Sequence, residues 1–572
     1  MKRQHFLQAA LALVVLCIAV LAYTPPISRD ALIHHLQVPK LYIQHGGMYE
    51  LPDLFFSYYP MNLQLLYLWA LWLGSDILPK YIHMFFAFAT ALLLHRHLRK
   101  RLSSTYAWLG VVFFLSIPVI IKLSITVYVD LGLIFFSTAA LLMLFRWLET
   151  QRLRDLLLAG GCCGLAIGTK YNGLLILFLL TFMVPVLFIR SQEQEQKVAL
   201  PALKAIIFFC FAALLTASPL LIRNTVWTGN PLYPLYKSVF KKINQSNTVN
   251  TTAIKTKQQQ TPPADLKKKQ AKKSTPVKGV FARRYVLYQE NIWQLLLLPV
   301  RIFFEGQDGD PRYFDGRLNP FLLLLPLLAF LRPVTRQVRL EQTALAAFSL
   351  LYFLFAFNTS VLRIRYLAPM VPCLVILSMY GLNNLEKLTE KYFNKKAATL
   401  FWSLIVLLLL FWNGNYLREQ FKEVDPFSYI TGRLSRDEYL SKQLPEYPIM
   451  QYANKHLPES AKILCIFMGR RGYYLERPHY FDTYGKPKGL LALLNNPKNN
   501  LATVLEKLQE RKMAYILVRT DLMAQWLNNA GPHQQQLWNQ LHRQHLIALH
   551  THLNYILFQI NFSSASPTVQ IP

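Results

Sequence analysis

The chain has 572 residues, of which 53% are hydrophobic, and 61 Lys and Arg stand against 30 Asp and Glu, which gives a formal net charge of +31. Its mean hydropathy of +0.24 is high for so basic a protein and excludes an ordinary soluble domain. The basic residues cluster between apolar runs, a pattern that indicates membrane topology and contact with anionic lipid rather than nucleic-acid binding. Six cysteines, mostly within apolar runs, predict no disulfide framework and no metal motif.

Apolar runs long enough to cross a bilayer recur from residue 6 to about residue 412. The first run follows MKR but lacks a cleavage site, so we interpret it as a retained span rather than a signal peptide. Two further apolar stretches, 61–73 and 291–304, are short and predict helices lying on the membrane surface. The fold class predicted is an α-helical polytopic membrane protein with about eleven spans, or thirteen if both short stretches also cross. The predicted spans lie near 6–23, 79–95, 105–121, 128–145, 155–170, 173–189, 202–222, 318–331, 342–357, 364–382 and 397–412.

The basic clusters all fall on one side of this topology. Because Lys and Arg mark the cytoplasmic ends of spans, the pattern predicts a cytoplasmic N-terminus and an extracytoplasmic C-terminus. The clusters are MKR (1–3), HRHLRKR (95–101), RWLETQRLR (146–154), RSQEQEQK (190–197), RPVTRQVR (332–339) and EKLTEKYFNKK (386–396).

The pattern divides the chain into a transmembrane domain over 1–412 and an extracytoplasmic α/β domain over 413–572. Within the first, 24–60 forms an outer loop, and the Lys-rich, nearly non-apolar segment 241–280 predicts a disordered insertion. In the second, three short apolar runs predict buried strands, and an amphipathic helix precedes the middle one. The strands are AKILCIFMG (461–469), MAYILVRT (513–520) and NYILFQI (554–560), and the helix is LATVLEKLQERK (501–512).

Two aspartates stand at predicted outer ends of spans, Asp30 after the first and Asp130 at the start of TVYVDLGLIFF. An ionisable residue there is a functional candidate because burying a carboxylate is costly. The alternative is that each is solvated at the interface, or that Asp30 caps the helix ALIHHLQ. His34 lies four residues beyond Asp30 and could orient it, whereas the adjacent His35 is interpreted as an interfacial residue. Asp30 and His34 are two candidate metal ligands without a third, which is a weak signal for a metal site. A divalent metal therefore stays open, and no cofactor is implied.

Four cations fall at the same predicted membrane face: Lys170, in GLAIGTKYNG, and three arginines, Arg223, Arg363 and Arg365. Each could grip a phosphate or anchor a helix end at the headgroups. Lys40 carries the same two interpretations. Several cations and two aspartates on one face favour a site for an anionic substrate.

Five segments in this order resemble the GT-C superfamily of membrane glycosyltransferases, in the branch related to protein O-mannosyltransferases and to the lipid A aminoarabinose transferase. The resemblance covers roughly residues 1–415 and implies a protein of the inner membrane of a bacterium. The segments are DALIHHLQVPKLYIQHGG with SYYPMNLQLLYL, VYVDLGLIFF, GLAIGTKYNGLL, RNTVWTGNPLYP and RIRYLAPMVP.

The resemblance implies a transferase that moves a sugar from a polyprenyl-phosphate donor to an acceptor hydroxyl outside the membrane, with inversion. It implies catalytic roles for Asp30 and Asp130. A donor phosphate held by cations makes Lys170, Arg223, Arg363 and Arg365 the candidates. Substrate-binding candidates are His34, Lys40 and Tyr59 in SYYP. A lone Asp in the first loop, where many protein mannosyltransferases carry Asp-Glu, leaves protein, lipid and polysaccharide acceptors open.

Three other functions remain open on the sequence. A transporter or flippase also needs charged span ends, although no two-half repeat is evident. An oligosaccharide polymerase or ligase shares the lipid-linked substrate. A scaffold would use its outer domain only to bind a partner.

Overall fold

The computed structural model describes residues 2–192, 199–240, 279–357, 361–482 and 489–563. Nearly all of the predicted insertion 241–280 lies outside these ranges. The chain forms two compact units, one comprising 1–23, 55–69 and 78–425 and the other comprising 24–54, 70–77 and 426–572. The predicted domain boundary at residue 412 falls within a helix of 30 residues, Lys395–Val424, which belongs to the first unit up to its end.

The first unit is helical. Long helices alternate with short ones along the chain. The 3-10 turns are Phe55–Tyr58, Pro311–Tyr313, Leu328–Phe330 and Ala368–Met370. Its helices are α1 (Lys2–Ala22), α3 (Asn62–Trp72, the last turn of which joins the second unit), α4 (Leu78–Arg101), α5 (Ser104–Ser116), α6 (Pro118–Ser124), α7 (Asp130–Thr150), α8 (Leu153–Thr169), α9 (Gly173–Ser191), α10 (Ala199–Thr228), α11 (Val280–Tyr288), α12 (Ile292–Leu296), α13 (Leu298–Arg301), α14 (Phe321–Leu327), α15 (Arg336–Ala356), α16 (Ile364–Leu367), α17 (Val371–Tyr392) and α18 (Lys395–Val424).

Among the described residues, seven helices are long and apolar enough to cross a membrane, and the number is eight if a bent pair counts as one span. The chain is therefore a multi-pass membrane protein. Three of the eleven predicted spans, 79–95, 155–170 and 318–331, correspond to helices that are more charged or shorter, so the full number stays a prediction. The shorter apolar helix among them covers Phe321–Phe330.

The predicted span 105–121 corresponds to two helices separated by a bend. Helices α5 and α6 meet at an angle of 65°. Pro118 begins α6, and Ile117 before it has the extended ψ of 131° that a residue preceding proline prefers. Proline thus ends one helix and starts the next. The surface stretch 291–304 is likewise two short helices, α12 and α13, rather than one.

Glycines spaced four residues apart allow a close helix contact in the first unit. Gly160, Gly164 and Gly168 follow one face of α8. A Cβ atom at Gly160 would clash with the carbonyl oxygen of Phe209, and one at Gly164 with that of Ala213, both on α10. Small residues at this spacing let membrane helices approach to backbone contact. The approach fixes α8, and with it the residues at its C-terminal end.

The second unit combines the segment after α1 with the C-terminal region. A π-helix (Ala31–His35) leads into α2 (Gln37–His45) in its N-terminal part. The C-terminal region supplies the elements α19 (Pro426–Ile430), α20 (Arg436–Gln443), α21 (Tyr447–His456), β1 (Ile463–Ile466), β2 (His479–Asp482), α22 (Leu490–Asn495), α23 (Leu501–Glu510), β3 (Tyr515–Arg519), α24 (Thr520–Asn528), α25 (Pro532–His545), β4 (Leu546–His552) and β5 (Tyr555–Ile560).

The predicted α/β character of the C-terminal region is confirmed by a five-stranded sheet in the order β2-β1-β3-β5-β4. Strand β1 pairs in parallel with β2 and β3, and β5 pairs antiparallel with β3 and β4. Both faces are covered, one by a core that includes Leu464 and Ile516, the other by a core that includes Cys465 and Leu517. Burial on both faces explains why β1 and β3 read as continuous apolar runs.

Candidate functional site

Asp130, the first residue of α7, forms an ion pair with Lys170, which follows the last residue of α8. The ammonium Nζ lies 2.6 Å from the carboxylate Oδ1. The Asp130 side chain is only 3% exposed and that of Lys170 is 21% exposed. Two charges withdrawn from water to this extent require each other, so the pair is a built feature of the helix ends.

A buried histidine, missed in the sequence reasoning, positions the segment before Asp130. The Nε2 atom of His83 accepts the backbone N–H of Leu131 at 2.9 Å. Its Nδ1 lies 2.9 Å from the carbonyl of Leu123 and 3.0 Å from that of Thr126. These partners require a neutral ring with the proton on Nδ1. A histidine within an apolar run was the available signal for this role.

Gly132 and Gly168 let α3 lie against the helix ends that carry the pair. A Cβ atom at Gly132 would lie 2.8 Å from both methyl groups of Leu63. One at Gly168 would clash with the side-chain amide of Asn62. The motifs VDLG and GTK therefore place their charged residues beside the start of α3, because glycine leaves room for it.

Two residues from the start of α16 complete a group that we name the Asp130 cluster: Asp130, Lys170, Tyr128, Arg365 and Tyr366. The Lys170 ammonium lies 4.9 Å from the ring centre of Tyr366. The Arg365 guanidinium lies 4.8 Å from the ring centre of Tyr128 and 5.2 Å from that of Tyr366. Aromatic faces attract both cations. The cluster thus joins one buried carboxylate to two cations from separate helices.

Arg223, predicted to bind phosphate, ties α10 to the SYYP segment. Its Nη2 donates to the carbonyls of Tyr58 at 3.0 Å and of Tyr59 at 2.9 Å. The neighbouring Asn224 donates to the Tyr58 carbonyl at 3.0 Å and to the Tyr171 hydroxyl at 3.0 Å. These contacts give Arg223 a structural role, whereas phosphate binding by it stays a prediction.

The remaining two candidates of the first unit, Arg363 and Tyr59, make contacts separate from those of the Asp130 cluster. Arg363 forms an ion pair with Asp315 at 3.2 Å. Asp315 and the preceding Phe314 adopt positive φ angles in the turn that presents this carboxylate. Tyr59 packs edge to face against Tyr171, with ring centres 5.5 Å apart. The structure therefore brings Lys170 and Arg365 into the Asp130 cluster and gives Arg363 a carboxylate partner of its own.

In the second unit, Asp30 lies immediately before the π-helix and is half-buried. Asp30 occupies the N-cap position of this helix, and its side chain makes no capping hydrogen bond to it. His34 and His35 are both buried, and their ring centres are 4.0 Å apart. The expected α-helical i, i+4 relation between Asp30 and His34 is not preserved, because residues 31–35 form a π-helix rather than an α-helix.

The segment that carries Asp30 is held by two consecutive tyrosines of the C-terminal region. The Tyr474 hydroxyl donates to the carbonyl of Pro26 at 2.8 Å, and the Tyr473 N–H donates to the carbonyl of Leu32 at 3.3 Å. Lys40, predicted to bind substrate, donates from Nζ to the carbonyl of Tyr473 at 2.8 Å. Burial lowers the pKa of Lys40, while nearby carboxylates oppose that shift.

Asp76 reinforces this contact region and was not singled out from the sequence. Its carboxylate accepts from Arg436 at 2.5 Å and lies 3.4 Å from the Tyr473 hydroxyl. Burial, reinforced by the Asp76 carboxylate, raises the pKa of Tyr474, so this hydroxyl stays a donor to its carbonyl partner. The sequence signal was faint, since Asp76 lies two residues after Gly74 in what reads as a turn.

Metal ligands do not cluster in the part of the chain that the structure describes. Within those ranges, no three residues of the types His, Cys, Asp and Glu come together in a group that would hold a metal ion.

Comparison with known proteins gives two kinds of match. Residues 82–222 match the family model described as dolichyl-phosphate-mannose-protein mannosyltransferase. This segment contains His83, Asp130 and Lys170. No curated protein sequence matches the chain significantly.

Solved structures match over nearly the whole chain at low sequence identity. ArnT from Cupriavidus metallidurans bound to undecaprenyl phosphate is 12% identical with a TM-score of 0.57, and the match covers 99% of each chain. The same protein in the apo state is 11% identical with a TM-score of 0.56, and the match covers 99% of this chain and 100% of that one. The oligosaccharyltransferase of Archaeoglobus fulgidus in the apo form is 13% identical with a TM-score of 0.50, over 98% of this chain and 74% of that one. At such identities the matches establish a shared fold.

Proposed function

We propose that this chain transfers a sugar from a polyprenyl-phosphate donor to an acceptor hydroxyl outside the membrane. The support is its GT-C fold and the match of residues 82–222 to the mannosyltransferase family model. The predicted resemblance to the GT-C superfamily is confirmed by these matches. The observation that carries the proposal further is the buried pair of Asp130 and Lys170 inside the matched segment. The lipid-phosphate donor is supported by the undecaprenyl phosphate of the ArnT match.

The Asp130 cluster would receive the donor phosphate. Lys170 and Arg365 are the cations of the cluster, and cations stabilise the negative charge that grows on the phosphate oxygen as the glycosidic bond breaks. Asp130 would hold the Lys170 ammonium in position, because its Oδ1 lies 2.6 Å from the Nζ atom. Preorganised charge of this kind needs no rearrangement during the reaction.

The reaction is a single displacement. The acceptor hydroxyl oxygen forms a bond to the anomeric carbon, the bond between that carbon and the phosphate oxygen breaks, and polyprenyl phosphate leaves with the electron pair. A base takes the hydroxyl proton, and we assign Asp30 to this role from the family resemblance. One displacement inverts the anomeric centre. The acceptor class remains protein, lipid or polysaccharide.

The proposal is tested with the purified full chain in proteoliposomes and a panel of polyprenyl-phosphate sugars carrying radiolabel in the sugar. We expect label to leave one donor in the presence of an acceptor extract, and Asp30→Asn to abolish the transfer. Asp53→Asn, in the same outer segment, is the matched control and should retain it. A folded wild-type chain that consumes no donor of the panel, yet moves labelled donor between leaflets, would establish the flippase alternative instead.

A further inference from the structure

A charged cavity lies at the ends of α7 and α9 that are opposite to the Asp130 cluster. Asp130 begins α7 and Glu149 is next to its last residue, which at 1.5 Å per residue separates them by about 29 Å. The cavity has a volume of about 520 Å³, and its lining includes Lys100, Arg101, Glu149, Arg190, Arg336 and Glu341. It therefore lies about one hydrocarbon thickness from the proposed site.

Charge in this cavity is positive on balance. Lys100 forms an ion pair with Glu149, and Arg101 forms ion pairs with both Glu149 and Glu341. These four charges balance one another, and the lining also includes Arg190 and Arg336. The lining holds four cations against two carboxylates and attracts an anion.

Arg190 is the cation most available to such an anion. Its side chain is exposed and makes no hydrogen bond or ion pair with any residue of the described ranges. The Arg336 guanidinium donates at 2.8 Å to the backbone carbonyl of Arg190, which keeps the start of α15 beside the end of α9. This hydrogen bond holds Arg336 next to Arg190.

An apolar groove of about 390 Å³ lies beside this cavity, between α9 and α15. Arg190 and Leu340 line both spaces, so the groove and the cavity are adjacent. The groove reaches Phe178 on α9, which lies twelve residues from Arg190, or about 18 Å along the helix axis. That length is close to half of the roughly 30 Å hydrocarbon core, the depth of one leaflet.

We propose that this groove and cavity together bind one anionic phospholipid of the leaflet opposite to the transfer site. An acyl chain would lie along α9 and α15, and the headgroup phosphate would lie against Arg190 and Arg336. The one-leaflet length fits an acyl chain better than the long tail of a polyprenyl donor, and the positive charge selects an anionic headgroup over a zwitterionic one. The site is independent of the sugar-transfer proposal.

The test is native mass spectrometry of the purified full chain with added phosphatidylglycerol or phosphatidylcholine of identical acyl chains. We expect the wild type to retain phosphatidylglycerol preferentially. Arg190→Gln should weaken that binding about fivefold, since one cation near a headgroup contributes on the order of 1 kcal/mol. Arg96→Gln, an exposed arginine on α4 outside the cavity lining, is the matched control and should change nothing.

A second variant tests the groove itself. Ala347 lines it, so Ala347→Trp should weaken the binding of both lipids, whereas Leu350→Trp on the exposed face of α15 should not. Helical content and elution volume verify that each variant folds. Equal phosphatidylglycerol binding by the wild type, Arg190→Gln and Ala347→Trp would overturn the proposal. Displacement of phosphatidylglycerol by equimolar polyprenyl phosphate would also overturn it, because the groove would then belong to the donor.

Discussion

The ion pair between Asp130 and Lys170 should be strongly coupled, and a double-mutant cycle measures that coupling. The variants are Asp130→Asn, Lys170→Met and the two combined. With an N–O distance of 2.6 Å and a carboxylate that is 3% exposed, removal of either partner leaves a charge in a site withdrawn from water. Each single change should therefore cost about 3 to 5 kcal/mol of the free energy of unfolding.

The double variant leaves no uncompensated charge, so its cost should stay near that of one single change. The expected coupling free energy is at least about 3 kcal/mol. The assay is denaturant unfolding in mixed micelles at 25 °C, followed by tryptophan fluorescence. If the double variant loses the sum of the two single losses, the two groups do not depend on each other and the reasoning is refuted.

The control cycle uses Asp155→Asn and Arg146→Met, an ion pair at the other ends of α7 and α8. Their N–O distance is 3.4 Å, and the arginine side chain is 53% exposed. An exposed partner is screened by solvent, so the coupling there should not exceed about 1 kcal/mol. A similar coupling in both cycles would mean that burial does not set the strength of the Asp130 pair.

Three further predictions concern residues that position the site. Tyr474→Phe removes the donor to the Pro26 carbonyl and should cost about 1 to 1.5 kcal/mol of the free energy of unfolding while raising the rate at which protease cuts the first loop. His83→Phe leaves the buried N–H of Leu131 without its acceptor and should cost about 1 to 3 kcal/mol in the same unfolding assay. Gly164→Val drives a side chain into the backbone of α10 and should reduce the melting temperature and the yield of folded protein by costing about 1 to 3 kcal/mol or more.

Each of these predictions has a matched control. Tyr452→Phe loses only a 3.4 Å hydrogen bond to Leu549, so the first loop should be cut as slowly as in the wild type. His95→Phe should preserve stability, since its ring packs on Trp108 near the end of α4. Gly161→Val meets nothing closer than 3.6 Å and should fold normally. Equal effects of a variant and its control would contradict the contact assigned to that residue.

The sequence indicated the residues of the ion pair but not their pairing. Asp130 and Lys170 each interrupt an apolar run, which marks them as candidates because charge is costly there. Their contact joins positions 40 residues apart and depends on how α7 and α8 pack, which local pattern does not specify. Gly164 and Gly168 of α8 were visible in GLAIGTKYNG. Only the structure shows which helices pack against them, α10 at Gly164 and α3 at Gly168.

Sequence reasoning could not separate cations that bind protein from cations that face a substrate. Arg223 and Lys40 looked like phosphate ligands, and in the structure both donate to backbone carbonyls. The carbonyl partners come from distant segments and carry no sequence signal. Strands β2 and β4 were missed for a different reason. Strand β2 carries a polar residue at each end, His479 and Asp482, and the residues of β4 are half-buried or exposed without regular alternation.

The most direct test of the central proposal is cleavage of the donor by the purified full chain. Release of polyprenyl phosphate from the donor selected in the proteoliposome panel is measured for the wild type, Lys170→Met and Asp155→Asn. We predict that Lys170→Met lowers the rate at least about 100-fold, the scale seen when one group that stabilises transition-state charge is removed, while Asp155→Asn retains the wild-type rate. A folded Lys170→Met variant that releases polyprenyl phosphate at the wild-type rate would contradict the assignment of the Asp130 cluster as the donor phosphate site.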